Sequence, residues 1–180
     1  MDLLSAHFGD ITRCAIAIRL LALDVDGVLT AGEVTYSSDG QELKSFSILD
    51  GLGIKMLQTS GIEVAIITGR RSPMVERRAA ELGIAALIQG REDKLAALTR
   101  LCEERNLGLD EVAYIGDDLP DLQAIRAVAL GVTVANGHPL VREHAQLCTT
   151  QTGGQGAVRE FADYLLKARG QYQAAVARYL

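Results

Sequence analysis

The chain has 180 residues, 48% of them hydrophobic and 23% charged, with 18 Lys+Arg against 23 Asp+Glu and a net charge of −5. That describes an ordinary globular chain long enough for one core, and without a basic stripe interleaved with aromatics it excludes nucleic acid as a partner. Arg19 splits the apolar tracts Cys14–Ile18 and Leu20–Leu23, nothing approaches the ~20 residues of a membrane span, and no charged-then-apolar leader follows Met1, so a cytoplasmic protein with no membrane partner is expected.

Residues 1–19 mix apolar and polar positions and read as a short lead-in helix. Leu20–Val25 reads as a buried strand running into Asp24 and Asp26, two carboxylates spaced i, i+2, and then Gly27. Paired acids at the end of a buried strand repel unless a cation neutralises them. Two β-prone runs in 33–47 flank Asp39-Gly40, which predicts a hairpin inserted after strand one. Asp50–Ser60 has a helical pattern, with Asp50 placed as N-cap and Gly61 as the stop. Val64–Ile67 is an all-apolar strand, and Pro73–Leu82 a helix capped by Ser72. The pattern then predicts strand Ala85–Ile88, helix Glu92–Arg105, strand Val112–Ile115 and helix Pro120–Val128. Strand Val132–Val134, helix Pro139–Ala145, strand Leu147–Thr149 and helix Gly156–Arg169 follow, with Val158, Phe161, Leu165 and Leu166 on one face of the last helix and 170–180 as a tail. This alternation predicts an α/β fold, a doubly wound, Rossmann-like parallel sheet with helices on both faces, no large cap domain, and a single domain over 1–180.

Ligands of such sheets bind beyond the carboxyl ends of the strands, so the strand ends are where the polar residues matter. Strand one ends in Asp24 and Asp26, and the Val64–Ile67 strand ends in Thr68-Gly69-Arg70. Lys94 opens the helix after Ala85–Ile88; Gly116-Asp117-Asp118 and then Asp121 follow Val112–Ile115. Taken singly, each has a plain alternative: turn aspartates, a Thr-Gly turn, a solvated lysine, a capping turn. An EF-hand loop from Asp24 is excluded, because Val28 has no ligating side chain and Thr35 holds the twelfth position. Together they suit phosphoryl transfer. Mg²⁺ on hard oxygen ligands removes the repulsion between carboxylate and phosphate, a lysine and a hydroxyl hold phosphoryl oxygens, one aspartate attacks and a second moves the proton. His7, His138 and His144 fall at none of these ends, and Cys14, Cys102 and Cys148 lack metal-ligand spacing and read as unpaired thiols.

Asp24-Val-Asp26-Gly-Val-Leu-Thr30, Thr68, Lys94 and Gly116-Asp117-Asp118 with Asp121 resemble, in order, the four motifs of the haloacid dehalogenase-like hydrolases. The 33–47 hairpin resembles that of the capless subclass. Ile66–Arg70, Gln89-Gly90, Tyr114–Asp118, His138–Leu140 and Gly153–Glu160 are similar to members that act on phosphorylated sugar acids. The resemblance implies Asp24 as nucleophile and Mg²⁺ ligand, and Asp26 as acid/base that binds the metal through its backbone carbonyl. It implies Asp117 as the remaining protein ligand, Asp118 and Asp121 as supports, and Thr68 and Lys94 as phosphate holders. It also implies substrate contacts from Asp26, Ser47, Asp50, Gly51, Lys55, Gly69, Arg70, Arg78 and Lys94, and a homotetramer whose hairpins form an intersubunit barrel closing each site. Leu49 stands where the family commonly has a basic residue, and Lys55 where arginine is common. Two readings of other classes remain at this level: a phospho-accepting receiver domain, whose acid order differs, and a catalytically silent oligomerisation domain.

Overall fold

The computed structural model describes residues 11–180, so the lead-in helix expected over 1–19 falls partly outside the described residues. A helix α1 runs through residues 11–17. The sheet contains β1 (Leu20–Leu23), β4 (Glu63–Thr68), β5 (Ala86–Gln89), β6 (Val112–Ile115), β7 (Leu130–Thr133) and β8 (Leu147–Cys148). Its order is β5-β4-β1-β6-β7-β8, and every pairing within it is parallel. The chain moves outward from β1 through β4 to β5, then returns to β6 on the other side of β1. The winding therefore reverses between β1 and β6, where such sheets open a crevice at their carboxyl ends.

Alternate side chains of each strand feed two separate cores. Leu21, Leu23, Val64, Ile66 and Ile115 pack beneath α2 (Ile48–Thr59), α3 (Pro73–Leu82) and α7 (Ala157–Ala168). Leu20, Ala22, Ile67, Val112 and Tyr114 pack beneath α4 (Lys94–Arg105) and α5 (Leu122–Ala127). Because β1 is buried on both faces, only its end reaches solvent, and polar residues accumulate there. Further along lie α6 (Pro139–His144) and α8 (Tyr172–Val176); α8 occupies part of the 170–180 segment read as a tail. No helix among the described residues is long and apolar enough to cross a membrane.

The inserted hairpin is present as β2 (Thr35–Tyr36) and β3 (Glu42–Leu43), an antiparallel ribbon with Thr35 opposite Leu43. Most boundaries shift by one or two residues from the sequence expectation, and two of the differences bear on the site. Helix α2 begins at Ile48, and its N-cap is Ser47, whose side chain accepts the Asp50 N–H; Asp50 lies inside the helix and caps something else. The helix expected over Pro120–Val128 divides into a tight turn, Leu119–Asp121, and α5. Asp118 accepts the Leu119 N–H and caps that turn.

Candidate active site

After β1 the chain closes a tight turn, in which the Leu29 and Thr30 N–H groups donate to the Val25 carbonyl at 2.9 and 3.0 Å. This turn leaves Asp24 and Asp26 at the mouth of the β1/β6 crevice. The crevice is a cleft of about 680 Å³, lined among others by Asp24, Asp26, Thr68, Lys94, Asp117 and Asp121. Gly27 makes the arrangement possible. Its φ is +91°, and a Cβ there would stand 2.0 Å from Asp117 Oδ2, so only glycine lets the turn pass this close to the third carboxylate. Gly153 supports the same turn from behind: a Cβ would meet the Gly27 carbonyl oxygen at 1.7 Å, and the adjoining Gly154 N–H donates to Val28 O at 2.8 Å.

Lys94 is almost fully buried. Its Nζ lies 2.9 Å from Asp24 Oδ2 and 2.7 Å from Asp121 Oδ1. Burial works against its charge, but the Asp24 and Asp121 carboxylates outweigh that and raise its pKa. Asp121 is 0% exposed, and both its oxygens are engaged. Oδ1 also accepts from the Tyr114 hydroxyl at 2.7 Å, and Oδ2 accepts the Asp117 and Asp118 N–H groups at 3.2 and 3.3 Å. It acts as the keystone between β6, the following loop and Lys94.

Asp24, Asp117 and Asp121 each bring a carboxylate oxygen within 4.8 Å of the others. Asp117 Oδ1 is buried with no hydrogen-bond partner among the described residues. Burial first, then the charges of Asp121 and Asp118, push the Asp117 carboxyl up to about 7. Burial first, then Asp121, pushes Asp24 to about 7, against the pull of Lys94. A hard divalent cation fits here: the donors are all oxygen, one is orphaned, and the crowded negative charge has too little compensation. With Asp121 already saturated, Asp24 and Asp117 are the carboxylates free to bind it. The Asp26 side chain is not in this group. Its Oδ1 instead accepts from Lys44 Nζ, which follows directly on β3.

The structure divides the expected substrate contacts into three places. Gly69 and Arg70 line the acidic cleft together with Asp26 and Lys94, and Arg70 also reaches back to Glu42 of β3 at 3.0 Å. Ser47, Asp50, Gly51 and Arg78 form a separate joint between α2, α3 and α7. Arg78 donates to the Ser47 carbonyl at 3.2 Å and passes over Gly51, where a Cβ would stand 2.4 Å from its Nη2. Asp50 is 1% exposed and accepts the Arg159 N–H at 2.9 Å, so it caps α7, whose own N-cap is Gly156. This corrects Asp50 as the cap of α2: its carboxylate meets the N-terminus of α7 instead. Lys55 lies two turns down α2 and lines a different groove with Gln58, Glu63 and Gly83; within this chain it does not reach the cleft.

Sequence reasoning missed Lys44 and Tyr114. Lys44 gives no signal, because a lysine on a hairpin is ordinarily solvated. Tyr114 did offer one: a hydroxyl inside the apolar strand Val112–Ile115 must find a buried partner.

Comparison with known proteins places these residues in company. Residues 84–161 match the haloacid dehalogenase-like hydrolase family model. The chain is 47% identical over 176 residues to the 3-deoxy-D-manno-octulosonate 8-phosphate phosphatase KdsC of Escherichia coli (strain K12), covering 96% of this chain and 94% of that protein. The same phosphatase from Moraxella catarrhalis, solved with magnesium, phosphate and 3-deoxy-D-manno-octulosonate (KDO), superposes with a TM-score of 0.94 at 48% identity, over 97% of this chain and 100% of that one. The cobalt-bound form of the deoxy-D-mannose-octulosonate 8-phosphate phosphatase YrbI from Haemophilus influenzae superposes with a TM-score of 0.86 at 38% identity, over 89% and 94% of the two chains.

Proposed function

We propose that this chain, which belongs to the 3-deoxy-D-manno-octulosonate 8-phosphate phosphatase family of haloacid dehalogenase-like hydrolases, hydrolyses that phosphomonoester to the free sugar acid and phosphate. It is a Mg²⁺-dependent phosphatase, and the activity belongs to the synthesis of lipopolysaccharide precursors. The observation that carries the reading is the convergence of Asp24, Asp26, Thr68, Lys94 and Asp117 in one cleft at the carboxyl ends of β1, β4 and β6. Residues 1–180 serve this chemistry as one unit.

Asp24 attacks phosphorus, and the bond from phosphorus to the leaving oxygen breaks as an aspartyl-phosphate forms. Asp26 gives its proton to the departing alcohol, then takes one from the water that hydrolyses the acyl phosphate. Lys94, held by Asp121, is already in place to meet charge on the phosphoryl group, and the buried Thr68 faces the same cleft. Mg²⁺, held by the Asp24 and Asp117 carboxylates and the Asp26 carbonyl, would neutralise the charge of the incoming phosphate. Gly69 and the Arg70 guanidinium at the cleft wall suit a sugar acid that carries a carboxylate as well as a phosphate.

The assembly we propose is a homotetramer. Tyr36 and Leu43 on the hairpin, and Ile48 and Leu49 at the start of α2, are exposed large apolar side chains. A two-stranded ribbon is marginal alone, and this one gains a core by meeting its copies. Packed so, the Ser47–Gly51 segment and Arg78 would stand over a neighbour's cleft. A cytoplasmic location agrees with three unpaired thiols.

The test is phosphate release from 3-deoxy-D-manno-octulosonate 8-phosphate and from a nonulosonate 9-phosphate, side by side, with and without Mg²⁺. A higher kcat/KM on the first, lost on chelation, is expected. Equal and poor rates on both would overturn the sugar-acid reading.

A further inference from the structure

The two aspartates of the opening motif are held by two different lysines. Asp24 pairs with Lys94, a residue of the parallel-sheet framework. Asp26 pairs with Lys44, from the inserted hairpin. The second pairing is unexpected for its position. Tyr36 and Leu43 beside it are 66% and 52% exposed, yet the Lys44 side chain is 2% exposed. Withdrawing an ammonium from water is costly unless a carboxylate meets it, so this burial has to be explained by its partners. They are Asp26 and, at 3.6 Å, Glu42. Glu42 is itself drawn toward Arg70 at 3.0 Å, which leaves Asp26 as the close partner.

The Asp26 carboxylate is in turn positioned by little else. It stands apart from the Asp24, Asp117 and Asp121 cluster, and among the described residues its side-chain hydrogen bond is the one from Lys44. Without that tether, a carboxylate two residues from Asp24 could swing toward Lys94 or the cation. It would then be lost to the leaving oxygen.

We propose that Lys44 is a positioning residue for Asp26, so that the hairpin insertion takes part in the proton-transfer step as well as in assembly. Lys44 does not touch the reacting atoms. It keeps the acid/base carboxylate apart from the nucleophile and turned to the hairpin side of the cleft. This deepens the assignment of Asp26 as the acid and rests on that reading.

The test uses the full-length protein with Mg²⁺ and a series of aryl phosphates from phenyl to 4-nitrophenyl. Their kcat/KM reports steps up to release of the phenol, before water attacks the acyl phosphate. A 4-nitrophenolate leaves without a proton; a phenolate gains most from one. Lys44→Met should lower kcat/KM on phenyl phosphate about tenfold more than on 4-nitrophenyl phosphate, as expected when a catalytic group is misplaced rather than removed. Asp26→Asn should steepen the dependence further, and Lys44→Met should add nothing to Asp26→Asn in the double variant. The slope is a ratio within each preparation, so partial misfolding lowers every point alike and leaves it unchanged. A uniform loss across the series for Lys44→Met, or losses that multiply in the double variant, would overturn the role of Lys44 while leaving Asp26 as the acid. A flat series for Asp26→Asn would overturn the acid assignment itself, and this proposal with it.

Discussion

The carboxyl edge of the sheet and the exposed residues of the hairpin and the start of α2 are built on opposite plans. At the sheet edge a buried polar network ties the charged groups together: Lys94 between Asp24 and Asp121, Tyr114 on Asp121, two backbone amides on the same carboxylate. On the hairpin and at the start of α2, Tyr36, Leu43, Ile48 and Leu49 are left in solvent. The groups read as the bond-breaking apparatus lie within one chain, whereas the second region is the one we propose to be covered by a copy of this chain, with closure of the cleft as part of that proposal. Lys44 is the strand between the two, anchored in the hairpin and ending on Asp26.

The largest effect should come from the nucleophile. Asp24→Asn should lower phosphatase activity at least ~10³-fold while the assembly measured by light scattering stays intact; retained turnover would break the assignment of chemistry to the sheet edge. Next, Asp121→Ala removes a partner from Lys94 and Tyr114 at a site with 0% exposure. Breaking such a buried pair costs about 3–5 kcal/mol, to be read by denaturant unfolding, and a loss below about 1 kcal/mol would show the keystone to be dispensable.

Gly153→Ala lies outside the cleft, but its methyl would collide with the Gly27 carbonyl. It should displace the turn bearing Asp24 and Asp26 and cut kcat about tenfold or more, since small misplacements of reacting groups are expensive. An unchanged kcat would mean that the loop does not support the turn.

A smaller effect tests the cation through pH. Asp24 and Asp117 are raised to about 7 in the folded, metal-free chain, while an unfolded aspartate titrates near ~4. Below both values each state is protonated and no penalty arises. As pH rises from ~4 to ~7 the unfolded chain gives up its protons first, so the metal-free fold loses stability across that window. A cation offsets that loss, and so Mg²⁺ should raise Tm more at pH 8 than at pH 5. An equal shift at both would indicate a site away from these carboxylates. Smallest of all, Tyr36→Glu should weaken assembly and turnover of the sugar-acid phosphate, yet change 4-nitrophenyl phosphate hydrolysis by less than about threefold. Equal losses on both substrates would erase the division between the two regions.

Much of the fold is legible in the residues themselves, because local physics dictates it. The all-apolar runs at β1, β4 and β6 are those of strands covered on both faces, and Pro73 and Gly83 bracket α3 at the positions each residue favours. Asp24, Asp26, Thr68, Lys94 and Asp117 are readable as a set because a parallel sheet brings all its carboxyl ends to one edge. What the sequence could not decide is which partner a polar group takes when several lie within reach. Asp50 looks like the cap of its own helix and instead caps α7, 109 residues away. Lys55, expected at the substrate by resemblance, lines another groove within this chain. Lys44 looks solvated and is buried against Asp26. Strand and helix identity are set over a few residues by periodicity, whereas a charged side chain's partner is set by long-range packing and by the cost of leaving a buried charge alone. That choice is made only when the chain has closed.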